Sequence, residues 1–182
     1  MKNKTPSWID VKKQIKKFDK NQLIALVGDL YRLSADNKIF FHTRFSLGQD
    51  SLEPYKRIIQ NSIHPYLEDD EVLDIETANE AIKNYSKAVD NPQGEAELMI
   101  FYVECGNNFT LSYGDIDEDF YDSVLDMYEL AIETVQELPI DEQKVFRERL
   151  YEIMESGSGI GWGYSDGLSG LYHKAFPDEE LT

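Results

Sequence analysis

"FYDSVLDMYELAIETVQELP", residues 120–139, carries apolar side chains three or four positions apart along most of its length. These positions are Phe120, Val124, Met127, Tyr128, Ala131, Ile132 and Val135. Such spacing places them on one face of an α-helix, and Pro139 marks the point where that helix stops. The stretch therefore predicts a long amphipathic helix that buries one face.

The same spacing recurs on both sides of this stretch. We predict further helices that begin near Trp8, Lys20, Lys38, Leu52, Ile75, Glu95, Asp141 and Leu168. The segments between them are short and rich in Gly, Pro, Asp and Asn, which is typical of turns. Strands do not alternate with helices, so we predict one all-α domain over residues 1–182 with about seven to nine helices. A compact bundle and a short helical-hairpin solenoid both remain open.

Several helix ends can be assigned from local signals. Asp19, Asp74 and Asp141 stand where N-cap residues are expected. "EAELMIFYVEC", residues 95–105, is short and apolar, and indicates a buried helix. Gly106 follows it, and we expect this glycine to end the helix in the left-handed conformation.

Composition limits the class of protein. The chain has 182 residues, 41% of them hydrophobic, which suits one domain with a proper core. It has one cysteine, so an intrachain disulfide is excluded and a reducing compartment is favoured. We expect no signal peptide, because the first residues lack an apolar core, and no apolar run approaches the ~20 residues of a membrane span. These features predict a cytoplasmic protein.

Charge is spread unevenly along the chain. The net charge is −17; residues 1–20 hold seven lysines against Asp10 and Asp19, so the remaining 162 residues carry −22. We therefore predict no direct contact with nucleic acid or membrane lipid, since both are anionic. The basic N-terminal helix, residues 1–20, is expected to lay its apolar face on the acidic remainder. The alternatives are that it docks on a partner or on a membrane surface. The tail, residues 177–182, is expected to fray.

"YGDIDEDFYDS", residues 113–123, places Asp115, Asp117 and Asp119 at alternate positions. A calcium loop would need glycine where Phe120 stands, so the stretch does not match that motif. Three interpretations stay open. One is that Asp115 or Asp117 caps the long helix. The second is that the three aspartates bind a divalent metal, with Glu104 as the nearest further ligand in sequence. The third is that they act in acid–base catalysis.

Glycine is concentrated in "SGSGIGWGYSDG", residues 156–167. The spacing fits neither a dinucleotide-binding loop nor a phosphate-binding loop, so we predict no cofactor. The stretch is interpreted as a helix stop followed by a glycine-rich loop, with Trp162 and Tyr164 packed on the body. A ligand-binding loop that uses Trp162 is the alternative.

Few other residues suggest chemistry. The three histidines and one cysteine show no zinc-ligand spacing. "FFHTRF" places His42 and Arg44 among aromatic residues, and we expect Arg44 to pair with a carboxylate or to bind an anionic ligand. Cys105 has no local feature that would activate a thiolate, which favours a buried small residue over a nucleophile.

Two stretches resemble an uncharacterised bacterial family. They are "SWIDVKKQIKKFDKNQLIALVGDLYRLSADNKIFFHTRF" and "YVECGNNFTLSYGDIDEDFY", in which "HTRF" and "YGDID" are the specific segments. The family consists of small cytosolic proteins with a domain of unknown function, and the resemblance extends from residue 6 to about residue 135. It implies bacterial origin and an α-helical fold. It implies no activity and no site residues.

The favoured function is a protein–protein interaction module whose partner is another protein. A non-enzymatic role is favoured because no nucleophile, cofactor loop or metal set is recognisable. One alternative is a divalent-metal enzyme that uses Asp115, Asp117 and Asp119. The other is a nucleic-acid mimic, or antitoxin-like protein, that binds a basic partner. The candidate interaction residues are His42, Arg44, Glu104 and Trp162.

Overall fold

The computed structural model describes residues 5–65 and 72–177. These residues form nine α-helices and contain no β-strand, which confirms the predicted all-α fold. The helices are α1 (Trp8–Ile15), α2 (Lys20–Leu33), α3 (Ala35–Arg44), α4 (Glu53–Ile63), α5 (Ile75–Ala88), α6 (Pro92–Tyr113), α7 (Glu118–Glu137), α8 (Ile140–Ser156) and α9 (Tyr164–Ala175). None of the described helices is both long enough and apolar enough to cross a bilayer.

The chain divides into two compact units, Met1–Leu47 and Gly48–Thr182, which are described separately below. The single domain and the choice between bundle and solenoid stay predictions. The predicted frayed tail lies outside the described residues except for Pro177.

Helices α2 and α3 of the first unit pack against each other. α2 opens with a capping box, in which the Asp19 carboxylate accepts from the Gln22 N–H at 2.8 Å and the Gln22 side chain accepts from the Asp19 N–H at 2.9 Å. The Asp19 cap is therefore confirmed. Ser34 caps α3 by accepting from the Asn37 N–H at 3.1 Å, and α3 begins at Ala35, earlier than predicted.

The apolar faces of α1 and α2 are not covered within the first unit. Neither helix contains a buried residue. Trp8, Ile24 and Leu33 are 66%, 60% and 75% exposed. The expected contact of the N-terminal helix with the acidic remainder stays a prediction.

In the second unit, α6 is the helix against which α4, α5, α7 and α8 all pack, while α9 packs on α7 and α8. Leu98, Ile100, Tyr102 and Val103 of α6 are fully buried. Burial of this kind contributes about 1.5–3 kcal/mol per large apolar side chain. The core of the unit therefore surrounds α6.

Gly106 does not end α6, contrary to the prediction. The helix continues to Tyr113, and Gly106 lies in its interior. A β-carbon at residue 106 would lie 2.9 Å from Cγ2 of Val124 on α7. The glycine is therefore explained by the close approach of two helices, which the local sequence does not reveal.

Two other predicted boundaries are wrong. Pro139, not Asp141, is the N-cap residue of α8, and Asp141 lies in the first turn. α9 begins at Tyr164, so the last four residues of the segment predicted as a loop are helical. Gly163 sets this boundary because it adopts the left-handed conformation with φ of 74°.

We expect Gly94→Ala to destabilise the protein by roughly 1–3 kcal/mol, the usual range for overpacking. A β-carbon at this position of α6 would lie 2.0 Å from the Tyr85 hydroxyl oxygen, which also accepts from the Asn91 side chain at 2.9 Å. Urea denaturation measures the change. Gly170→Ala is the matched control, because nothing lies within 4 Å of its β-carbon position in α9. Equal effects of the two variants would contradict the packing explanation.

Candidate functional site

Asp117 caps α7. Its backbone is extended, with φ of −138° and ψ of 169°, and its Oδ1 accepts from the Phe120 N–H at 2.9 Å. Glu118 and Asp119 occupy the first turn, where negative charge is favoured by the helix dipole. The capping interpretation of this stretch is confirmed for Asp117.

Asp115 points to a different partner, the indole of Trp162. The Trp162 Nε1–H donates to both carboxylate oxygens, at 3.0 Å to Oδ1 and 2.9 Å to Oδ2. The Tyr121 hydroxyl donates to Oδ1 at 3.0 Å. The tertiary structure thus joins the acidic stretch before α7 to the glycine-rich loop before α9, two segments 47 positions apart.

Three residues of the glycine-rich loop adopt the left-handed backbone conformation. Gly159 and Gly163 have φ of 87° and 74°, and Trp162 itself has φ of 59°. A left-handed conformation costs a non-glycine residue about 1–2 kcal/mol. The hydrogen bond from the indole to the charged carboxylate of Asp115 offsets part of that cost. The conformation of Trp162 is therefore coupled to Asp115.

Buried hydrogen bonds of Asn107 attach the glycine-rich loop to α6. The Tyr164 hydroxyl donates to Asn107 Oδ1 at 2.5 Å. Asn107 Nδ2 donates to the Ile153 carbonyl and to the Ser156 hydroxyl, both at 3.0 Å. Asn107 is 3% exposed, so these bonds replace the water that its amide loses. They tie both ends of the loop to α6.

A cleft of about 470 Å³ lies between the end of α6, the start of α7 and the loop. Its walls are formed by Thr110, Leu111, Gly114, Asp115, Tyr121, Ser158, Gly159, Ile160 and Gly161. Asp115 is the only charged member of this set. The cleft combines one carboxylate with hydroxyl groups and two apolar side chains, and it can accept hydrogen-bond donors.

Tyr121 and Thr110 contribute hydroxyl groups from the helical side of the cleft, and Ser158 contributes one from the loop. Burial raises the pKa of Tyr121, the Thr110 hydroxyl and the Ile116 N–H oppose that rise, and the Asp115 charge adds to it. Tyr121 therefore stays protonated and serves as a donor at neutral pH. Thr110 is 8% exposed, and its hydroxyl has no partner at normal hydrogen-bond geometry among the described residues. Sequence reasoning missed both residues.

The described residues contain no group of three or more His, Cys, Asp or Glu side chains that could hold a metal ion. Asp117 is engaged by the start of α7 and Asp115 by Trp162. The metal site at Asp115, Asp117 and Asp119 stays a prediction, without support from these contacts.

Glu104 takes part in an ion-pair network across three helices. Arg149 of α8 binds it through two hydrogen bonds, Nε to Oε1 at 2.8 Å and Nη2 to Oε2 at 2.9 Å. Arg149 also binds Glu97, which accepts from Lys56 at 2.5 Å. Burial tends to lower the pKa of Arg149, but Glu104 and Glu97 together raise it. Glu104 is thus occupied by Arg149 and does not line the cleft.

His42 and Arg44 belong to the first unit. His42 Nε2 lies 3.0 Å from the Tyr31 hydroxyl, and the Arg44 guanidinium lies over the Phe40 ring at 5.2 Å from its centroid. Their proposed part in binding stays a prediction.

Trp162, in contrast, is 56% exposed beside the cleft, which corrects the expectation that it packs on the body. Tyr164 is buried, as expected.

Residues 6–174 match the model of a family of unknown function (DUF6155). The chain belongs to this family. No curated protein matches the chain, and no solved structure matches it. The function of the family is unknown, so membership assigns no activity to the chain.

The capping role of Asp117 in this DUF6155 protein can be tested by two substitutions. Asp117→Ala is expected to lower the free energy of unfolding by about 1 kcal/mol, because the Phe120 N–H loses its acceptor. Asp117→Asn keeps an acceptor and is expected to be nearly neutral. Urea denaturation measures both. If Asn were as costly as Ala, the charge of Asp117 would be required, and calorimetric titration with Mg²⁺, Ca²⁺ and Mn²⁺ would then test the metal hypothesis.

Cys105 of the same protein is expected to resist thiol reagents in the folded state. Burial, and to a smaller extent the charge of Glu104, raises its pKa from 9.0 to about 12, while Lys56 opposes the rise. The pKa is raised on folding, so its contribution to stability is complete below about pH 9 and is lost as the pH rises toward 12. Reaction with a chromogenic disulfide at pH 8 should be slow until urea unfolds the chain. Fast labelling of the native protein would contradict this assignment.

Proposed function

We propose that this protein is a protein-interaction module that binds its partner through the cleft lined by Asp115 and through the exposed Trp162 beside it. The observation that carries the proposal is Trp162, which is more than half exposed and is held in one position by the Asp115 carboxylate. Tryptophan is enriched among the residues that dominate binding energy at protein interfaces. A fixed indole loses little conformational freedom on binding, which favours affinity.

The surroundings of the cleft support a protein partner. Leu111, at the end of α6, is 62% exposed and adds apolar surface next to the polar wall formed by Thr110 and Asp115. An apolar centre bordered by polar groups is the usual arrangement of an interface.

We further propose that the protein acts in the bacterial cytoplasm. The single, buried cysteine and the sequence resemblance support that location.

The test is photo-cross-linking of the full-length protein in the cells that make it. A benzophenone amino acid replaces Leu111 at the cleft in one variant and Val145 in the other. Val145 is the matched control, because it is 62% exposed on α8 and does not line the cleft. We expect a discrete protein adduct from position 111 and not from position 145.

Addition of Trp162→Ala to the position-111 variant should reduce the adduct at least tenfold, the scale of an interface residue worth more than about 1.4 kcal/mol. Far-UV circular dichroism checks that the helices remain. Equal adducts from both positions, or an adduct that does not depend on Trp162, would contradict the proposed function.

A further inference from the structure

We propose that the cleft binds a cationic side chain of the partner, and specifically the guanidinium of an arginine. This inference rests on the proposed function and names the chemistry of the group that enters the site. Three features of the cleft support it: its charge, the acceptor capacity of Asp115, and the apolar surface beside that carboxylate.

The charge of the cleft favours a cation. Asp115 is the only charged residue among those that line it. The loop from Gly157 to Gly163 contains no charged residue. An anionic ligand would be repelled here, and a cation would be attracted.

The Asp115 carboxylate can accept a further hydrogen bond. A carboxylate offers about four acceptor positions. Oδ1 accepts from Tyr121 and Trp162, whereas Oδ2 accepts from Trp162 alone. Asp115 is itself exposed, so a further N–H can reach Oδ2 from solvent. A charged donor forms the stronger hydrogen bond with a carboxylate.

The shape of the cleft distinguishes arginine from lysine. Leu111 and Ile160 offer apolar surface for the methylene groups of a long side chain, and the exposed indole of Trp162 offers an aromatic ring to a cation. A guanidinium presents five N–H groups in a fixed plane and can donate to the Asp115 carboxylate while its flat face lies against an aromatic ring. An ammonium is a compact point charge, and we expect it to bind more weakly.

The experiment follows the two indole N–H signals of the full-length protein by NMR, assigned with Trp8→Phe. The probe is a short acetylated and amidated peptide of glycines around one arginine. Matched peptides carry lysine, or citrulline, which has the shape of arginine without its charge. We expect the Trp162 signal to shift and saturate with the arginine peptide. Affinity should be several-fold weaker with lysine and at least tenfold weaker with citrulline.

Two variants locate the effect. Asp115→Asn should weaken the arginine peptide at least tenfold, whereas Glu118→Gln, which removes the same charge outside the cleft, should change it less than twofold. Should Asp115→Asn fail to fold, the peptide series decides: equal binding of the citrulline and arginine peptides overturns the proposal. Equal losses in Asp115→Asn and Glu118→Gln overturn it as well.

A third arm uses spermidine, a free polyamine. Tighter binding of spermidine than of the arginine peptide would assign the cleft to a small amine and overturn the proposal of a protein side chain.

Failure of the interaction function and failure of the arginine inference give different results. If cross-linking from position 111 depends on Trp162 while the arginine peptide does not bind, the interaction function stands and the arginine inference fails. If the peptide binds without any position-specific protein adduct, the interaction function fails.

Discussion

Val124 of α7 occupies the space that a side chain at residue 106 of α6 would fill, so the two longest helices of the second unit are in close contact at that point. This contact depends on the absence of a β-carbon, and any larger residue would force the helices apart. Because the helix does not stop at Gly106, it carries Asn107 and Thr110 beyond the contact. The cleft therefore depends on the same close approach.

Asn107 connects this packing with the loop before α9. Its amide is buried and bonded to the Ile153 carbonyl, to Ser156 and to Tyr164, which fixes where α8 ends and α9 begins. Trp162 then falls opposite Asp115. Buried polar groups without partners are costly, so a shift of these helix ends that broke the bonds to the amide would be opposed. A polar contact in the core thus positions the exposed indole.

Charges in the second unit serve two distinct roles. Arg149, Lys56, Glu97 and Glu104 neutralise one another across α4, α6 and α8, and each is partly buried. Such a network fixes the relative positions of helices more than it adds net stability, since desolvation opposes the Coulomb attraction. Asp115 instead keeps its charge exposed and bonded to neutral donors. The two kinds of carboxylate look alike in sequence.

The sequence by itself determined the helical class, most helix positions and local caps such as that of Asp19, because periodicity and capping involve residues three or four apart. It left open whether Asp115 or Asp117 caps α7. It also singled out Asp115 and Trp162, but not as a pair. Only the tertiary structure decided that pairing and the role of Gly106, since each depends on a residue from another helix or loop. A glycine that stops a helix and one that admits a neighbouring helix are identical in sequence and differ only in what lies against them.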